Sequence, residues 1–279
     1  MYKVFAVYIL LRSLAFPCHK DRSINNFSNA RRDFAKLEKV GRLPETVTES
    51  SGLTNVAGSS NVITLNDGGN PPEIFILNQN GGLIQQVPIT GLKNHDWESV
   101  TMDNNGNLYI GDFGNNSNKR KDLTIIKYNT LNKTTSKIQL SYPDQSEFPP
   151  TPSELNFDCE AMFWANDLLY LISKNRGKGP VRLYSVPSQE GKYTATLVDS
   201  ITIKGMITGV DYNAEKKELA LLSYGYIYIF NVQHAVNFKS PISVAYYGRL
   251  AQSEGITYLQ NDLLISNEAG KLFRLKAKK

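Results

Sequence analysis

Residues 96–112 read DWESVTMDNNGNLYIGD, two short runs of β-branched and aromatic residues on either side of a turn rich in Asn and Gly. Such pairs of short runs are typical of β-strands joined by a tight turn. The rest of the chain also consists of short apolar runs separated by polar turns, and no long stretch shows a helical period. The sequence therefore predicts an all-β protein.

A three-residue motif recurs five times along the chain. Each copy has a polar residue, a small residue and an apolar residue, and the copies begin at Ser51, Glu98, Glu160, Thr208 and Glu254. Successive copies start 47, 62, 48 and 46 residues apart, close to the length of a four-stranded propeller blade. A Pro-rich insertion at 142–152 lengthens the second interval. We predict a single β-propeller of five four-stranded blades; an open β-sandwich is the alternative, and it leaves the repeat unexplained.

The fifth repeat ends after its third strand, at residues 271–275, and lacks a fourth. Residues 34–43 precede the first motif and have no other partner in the repeat. Pairing these two segments would close the ring and remove the exposed sheet edges. The propeller domain is therefore predicted to occupy residues 35–279.

The composition fits one globular domain. Hydrophobic residues make up 41% of the chain and charged residues 20%, with a net charge of +5. The basic residues form no continuous stripe, which argues against nucleic acid as a partner. The two cysteines, Cys18 and Cys159, cannot build a disulfide framework or a cysteine zinc site. Cys159 is interpreted as a buried, inert thiol, and the protein as a monomer.

Residues 1–18 are arranged like an export signal. An apolar run at 4–11 leads to Ala15-Phe16-Pro17-Cys18, where a bacterial lipoprotein signal would place its lipidated cysteine. Arg12 and Pro17 depart from that pattern, and a mis-started N-terminus is the alternative. Residues 19–34 are polar and are predicted to form a tether. We expect an exported protein: an outer-membrane lipoprotein, or a periplasmic or extracellular protein.

The repeat brings carboxylates together. The first strand of each propeller blade lies nearest the axis, and the motif's polar residue shares one side of that strand with the residue two positions earlier. Six acids are thereby predicted to meet at one mouth of the channel: Glu49, Asp96, Glu98, Asp158, Glu160 and Glu254. Such close like charges favour a bound cation. Oxygen ligands point to calcium, or alternatively magnesium or manganese. The competing interpretation is that these acids cap strands or pair with Lys and Arg.

The second strand of each blade runs antiparallel to the first and ends on the same rim. This arrangement places further polar residues at the predicted ion site: Asp67, Asp112, Asn267, Glu268 and Lys174. The loops add His95 and Arg176. His95 is a candidate base, and Lys174 and Arg176 could hold an anionic substrate or balance the carboxylates. These three are the candidate catalytic residues.

Several of these stretches resemble the SdiA-regulated-domain propellers of exported bacterial proteins. They are Glu49-Ser-Ser-Gly-Leu, Asp96-Trp-Glu-Ser-Val, Cys159-Glu-Ala-Met and Ser253-Glu-Gly-Ile-Thr with Ile265-Ser-Asn-Glu. The phytase-like esterase propellers are similar in the Glu-Gly-Ile element. The resemblance covers roughly residues 45–275 and implies a propeller able to bind calcium. The fourth repeat departs from the pattern, because Thr208 replaces the motif acid.

Two functions follow as hypotheses. The first is a surface or periplasmic binding module, in which the ion joins the blades and the ligand is a small molecule, anionic ones included, or a surface ligand. The second is a metal-dependent hydrolase of phosphate or other esters, in which Lys174 and Arg176 would hold the substrate anion. In that case the substrate is expected to enter beside Thr208, on the less acidic side of the ring.

Overall fold

Short apolar runs form the strands, and the two inner strands of each blade are buried on both faces because each blade is covered by its neighbours. In the computed structural model, the described residues are 27, 29–176, 179–233, 235–248 and 250–277. The innermost strands are β3 (Ser50–Asn55), β7 (Trp97–Met102), β11 (Cys159–Ala165), β16 (Ile207–Asn213) and β20 (Ser253–Leu259). Each of the five contacts the innermost strands of both neighbouring blades, so that they form a closed ring.

Three further strands complete each blade. The second strands are β4 (Val62–Asn66), β8 (Asn107–Asp112), β12 (Leu168–Ser173), β17 (Glu218–Ser223) and β21 (Asp262–Asn267). The third strands are β5 (Glu73–Leu77), β9 (Thr124–Asn129), β13 (Val181–Pro187), β18 (Tyr226–Asn231) and β22 (Lys271–Leu275). The fourth strands are β6 (Leu83–Pro88), β10 (Thr135–Ser141), β15 (Thr196–Ile201), β19 (Pro241–Tyr246) and, for the fifth blade, β2 (Glu38–Arg42). The predicted five-bladed propeller is confirmed.

The ring closes where the sequence predicts. Strand β2 pairs antiparallel with β22, with Glu38 opposite Arg274 and Arg42 opposite Lys271. The N-terminal part of the chain thus supplies the outer strand of the last blade.

Two strands lie outside the predicted pattern. Strand β14 (Gly191–Thr194) leaves the third blade and pairs in parallel with β10 of the second. Strand β1 (Arg31–Phe34) pairs in parallel with β19 and widens the fourth blade. Both strands cover an edge that a four-stranded blade leaves open.

The segment predicted to be a tether is therefore partly folded. Phe27 is 1% exposed and packs on the fourth blade, with its ring centre 5.2 Å from that of Tyr228 and 5.6 Å from that of Phe230. An aromatic side chain in an otherwise polar stretch was the missed signal. The predicted export signal and the first part of the tether lie outside the described residues. No helix in the described ranges is long and apolar enough to cross a bilayer.

The core is divided into layers between adjacent blades. Trp97 is fully buried between the first and second blades, and Cys159, which is predicted to be a buried thiol, lies between the second and third. At the axis the blades approach so closely that a Cβ at Gly209 would lie 2.7 Å from the carbonyl oxygen of Glu254 in the next blade. The small residue of the motif is thus required by space.

Each innermost strand carries a β-bulge at the same place. The ladder to the second strand skips one residue in every blade, and that residue is the polar one of the motif: Ser51, Glu98, Glu160, Thr208 and Glu254. A bulge re-aims the side chain of the residue that it leaves unpaired. The simple alternation assumed for these strands is interrupted at this position.

Candidate metal centre

Three carboxylates come together between the first two blades. Asp67 follows the end of β4, Asp96 precedes β7, and Glu98 is the bulged residue of β7. One oxygen from each lies within 4.8 Å of the others, close enough to share a metal ion. Glu98 is 4% exposed, and the two aspartates are half-buried. We call these three residues the acidic triad.

Among the described residues, no Lys or Arg contacts the acidic triad directly, although the charges of Lys174 and Arg120 act from a distance to lower the pKa of Glu98 and of Asp96 respectively. Within the described ranges, no Lys or Arg nitrogen lies within 4.0 Å of any of the three carboxylates, and the Glu98 carboxylate accepts no hydrogen bond. Asp67 accepts one, from the backbone N–H of Gly68. An unpaired buried carboxylate destabilises the folded protein, and buried charges in proteins are normally paired with an opposite charge. A divalent cation would remove the cost.

Two glycines let the backbone pack against the triad. A Cβ at Gly114 would lie 2.4 Å from Oδ2 of Asp96 and 2.7 Å from Oε1 of Glu98. A Cβ at Gly68 would lie 2.6 Å from Oδ1 of Asp96. The predicted Gly-rich turns after β4 and β8 therefore do approach the carboxylates, and any side chain at these positions would displace them.

Burial and mutual repulsion weaken the acidity of the triad. Burial, together with the charges of Glu254, Asp96 and Glu49, raises the pKa of Asp67 to about 7, against the effect of the Gly68 amide. Burial and then the charge of Asp158 raise the pKa of Asp96 to about 6. Burial and then the charge of Glu160 raise the pKa of Glu98 well above its ordinary value. Without an ion, the site therefore retains protons more readily than exposed carboxylates would.

The other half of the predicted ring is neutralised by protein cations. Lys174 Nζ contacts Glu160 Oε1 and lies 4.0 Å from Glu254 Oε1. Burial alone would lower the pKa of Lys174, but the charges of Glu160 and Glu254 raise it to about 12. Lys174 is thus a buried ammonium that is held by carboxylates.

Arg176 contacts the same half of the predicted ring as Lys174. Its Nε contacts Asp158 Oδ2, and its Nη2 donates to Glu160 Oε1 at 3.0 Å. The other oxygen of Asp158 accepts from the backbone N–H of Asn115 at 2.8 Å. Asp158, Glu160 and Glu254 therefore follow the salt-bridge interpretation. Lys174 and Arg176 are used to balance them.

Tyr224 was not predicted at the site. Its hydroxyl donates to Glu254 Oε1 at 2.9 Å, and its ring centre lies 5.9 Å from Lys174 Nζ. Burial and the charge of Glu254 raise the pKa of Tyr224 well above its ordinary value, so it remains a donor. Its place directly after β17, equivalent to that of Asp67 and Lys174 in their blades, was the available signal.

The remaining predicted residues of this rim are not part of the triad, although Asp112 Oδ1 accepts from the backbone amide of Asp96 at 3.2 Å. Asp112 contacts His95 Nδ1 and Arg120 Nη2, each at 3.1 Å, and Arg120 comes from the loop after β8, where no site residue is predicted. Glu49 is exposed and accepts from Asn70 at 2.9 Å. Only Asp67 joins the ion cluster.

The two remaining rim residues belong to the fifth blade. Asn267 accepts from the amide of Lys271 at 3.0 Å. Glu268 accepts from Gln252 at 2.7 Å, and burial followed by the charge of Glu254 raises its pKa to about 9.

The two repeats without a motif acid use a hydroxyl instead. Ser51 Oγ donates to the carbonyl oxygen of Trp97 at 2.8 Å, and Thr208 Oγ1 donates to that of Ser253 at 2.6 Å. In both cases the acceptor is in the next blade. These residues join blades and leave the acids asymmetrically distributed around the axis.

The fold and this site define a β-propeller with an acidic cluster that could hold a metal ion. The chain belongs to the SdiA-regulated family, whose sequence profile matches residues 33–276. No curated protein matches the sequence significantly.

Several solved propellers have a similar backbone. A glutaminyl cyclase from Myxococcus xanthus aligns with a TM-score of 0.58 and 10% identity, over 88% of this chain and 97% of its own. A luciferin-regenerating enzyme aligns with a TM-score of 0.53 and 12% identity, over 87% of this chain and 95% of its own. A gluconolactonase from Xanthomonas campestris aligns with a TM-score of 0.51 and 10% identity, over 86% of this chain and 89% of its own. At these identities the likeness shows the fold alone.

Proposed function

We propose that this protein is an exported, calcium-binding propeller that acts as a binding module. The observation that carries the proposal is the buried, unpartnered Glu98 between Asp67 and Asp96. Asp67 belongs to the first blade, and Asp96 and Glu98 belong to the second. An ion held by all three would therefore join two blades and stabilise the ring.

The donor set favours calcium. Three carboxylates supply only oxygen ligands, and calcium accepts six to eight oxygens, including backbone carbonyls and water. Magnesium and manganese are the alternatives, and zinc is a poorer fit because the triad consists of carboxylates alone. The ion would retain coordination positions for water or for an oxygen of a ligand.

The charge pairing supports binding over hydrolysis. The hydrolase hypothesis assigned Lys174 and Arg176 to a substrate anion, but both cations contact carboxylates of their own chain. His95, its candidate base, is hydrogen-bonded to Asp112 through Nδ1, which is compatible with a base and favours neither hypothesis. A ligand would instead approach the half-exposed aspartates of the triad, and an oxygen-rich ligand would complete the ion's shell.

The test is a calcium titration of thermal stability combined with a screen of phosphoester substrates. The proposal expects a higher melting temperature with calcium than with chelator, a smaller effect with magnesium, and no turnover. Turnover that disappears with chelator while the protein stays folded would establish the hydrolase instead. No shift with calcium, magnesium or manganese would contradict the metal site.

A further inference from the structure

An exposed aromatic surface lies on the outside of the fourth blade. Phe34 is 87% exposed, and it pairs with Tyr246 across the β1–β19 ladder, with ring centres 6.0 Å apart. Tyr246 is itself 38% exposed and packs at 5.2 Å on the ring of Tyr226. Large aromatics are seldom left this open on a monomer. We call Phe34, Tyr226 and Tyr246 the outer aromatic patch.

Three basic residues lie on or near the segments that carry the outer aromatic patch. Arg32 lies two residues before Phe34 in β1, so both side chains leave the same side of the strand. Lys36 follows in the exposed link to the fifth blade, and Lys204 Nζ lies 5.7 Å from the ring centre of Tyr226. In the described part of the chain, no carboxylate lies within 4.0 Å of the charged groups of these three residues.

The chain reaches the propeller beside this patch. The side chain of Phe27 is buried in the same blade, so the 26 preceding residues join the domain there. They include the apolar run at 4–11 and Cys18. Eight residues lie between Cys18 and Phe27, and the nine steps of chain from one to the other reach about 30 Å when fully extended. Any membrane attachment through this segment would tether the propeller at the fourth blade.

We propose that the outer aromatic patch docks onto an anionic bilayer surface. The rings of Phe34 and Tyr246 would enter the interfacial zone, where aromatic side chains are favoured. Arg32, Lys36 and Lys204 would face lipid phosphates, and the net charge of +5 would add attraction to an anionic leaflet. Docking would orient the propeller without involving the acidic triad.

The direct test places a fluorescent reporter in the patch. In the full 279-residue chain, Phe34→Trp is compared with Leu131→Trp, since Leu131 is 84% exposed but lies in the β9–β10 turn of another blade. Vesicles contain phosphatidylcholine with about one third phosphatidylglycerol, with and without brominated acyl chains, in the presence of chelator. After subtraction of the parent signal, the Phe34→Trp emission is expected to shift to the blue and to be quenched, and that of Leu131→Trp to remain unchanged. Equal quenching of both, or of neither, overturns the proposal.

Partition to the same vesicles gives a second readout. The double variant Phe34→Ser, Tyr246→Ser should float with vesicles about tenfold less than the parent, while Leu131→Ser should match the parent. Added salt should weaken binding because lipid phosphates are screened. If the Phe34→Trp emission shifts with protein concentration in the absence of lipid, the patch instead joins two copies of the chain. Because all measurements are made in chelator, their failure leaves the calcium proposal untouched.

Discussion

Glu98 and Glu160 hold the same motif position in neighbouring blades, and in the described part of the chain a protein cation contacts only Glu160. Both side chains are buried, at 4% and 3% exposure. Glu160 contacts Lys174 and Arg176, whereas Glu98 faces Asp67 and Asp96. One repeated residue therefore has two roles, an ion-pair partner in the third blade and a candidate ligand in the second.

Replacing Glu98 by Gln should separate metal binding from folding. The variant is expected to lose the calcium-dependent rise in melting temperature. In chelator it should be about 1–2 kcal/mol more stable than the parent at pH 8, because an unpaired buried charge is removed. Chemical denaturation with and without calcium measures both effects. A full calcium shift in this variant would show that the ion binds elsewhere.

Glu160→Gln is the matched control, since it changes the same motif position. It leaves Lys174 and Arg176 with fewer carboxylates and should destabilise the protein in chelator and in calcium alike. The calcium shift itself should persist. Loss of the shift in this variant as well would mean that the two clusters form one site.

Lys174→Met should be strongly destabilising. The substitution leaves Glu160 and Glu254 without their shared ammonium, and breaking a buried pair in this way costs about 3–5 kcal/mol. Adding Glu160→Gln should restore part of the loss, since it removes one of the stranded charges. Urea unfolding of the two single variants and the double variant gives the coupling free energy. Additive losses would show that Lys174 acts through packing alone.

Gly114→Ala tests the close approach of backbone to the triad. Its Cβ would overlap Asp96 and Glu98, so we expect a loss of about 1–3 kcal/mol and a reduced calcium shift. Gly58→Ala is the control: space around Gly58 is open, and the positive φ of 72° costs about 1 kcal/mol without touching the site. An unchanged calcium shift in Gly114→Ala would contradict the placement of the ion.

The stability of the metal-free protein should fall as the pH rises from 5 to 8. The folded-state pKa values of Asp67 and Asp96, about 7 and about 6, lie above the ordinary aspartate value. The folded protein therefore binds these protons more tightly than the unfolded chain. Their stabilising contribution is complete below about pH 4 and is lost as the pH passes through 6 and 7.

Urea unfolding in chelator across this range measures the slope. Asp67→Asn should make the free energy of unfolding depend less on pH. Excess calcium should offset the loss of stability at high pH, because the ion binds the ionised carboxylates. Stability that rises with pH in chelator, or an unchanged slope in Asp67→Asn, would contradict the assignment.

The repeat itself determined the architecture. The spacing of the five motifs, the small residue in each and the unpartnered strand at 34–43 were sufficient for five blades and their closure, because these features depend on local pattern and on the need to cover sheet edges. The burial of Cys159 could also be predicted from the sequence.

Tertiary structure alone decided which acids remain unpaired. Asp67, Lys174 and Tyr224 each follow the second strand of a blade, yet the first joins the acidic triad and the others bind Glu254 or Glu160. The contacts of Phe27 and β1 with the fourth blade likewise became evident only in the folded structure. Strand pattern is a property of neighbours along the chain. Charge pairing depends on side chains that different blades bring to one point, and a sequence repeat does not encode those distances.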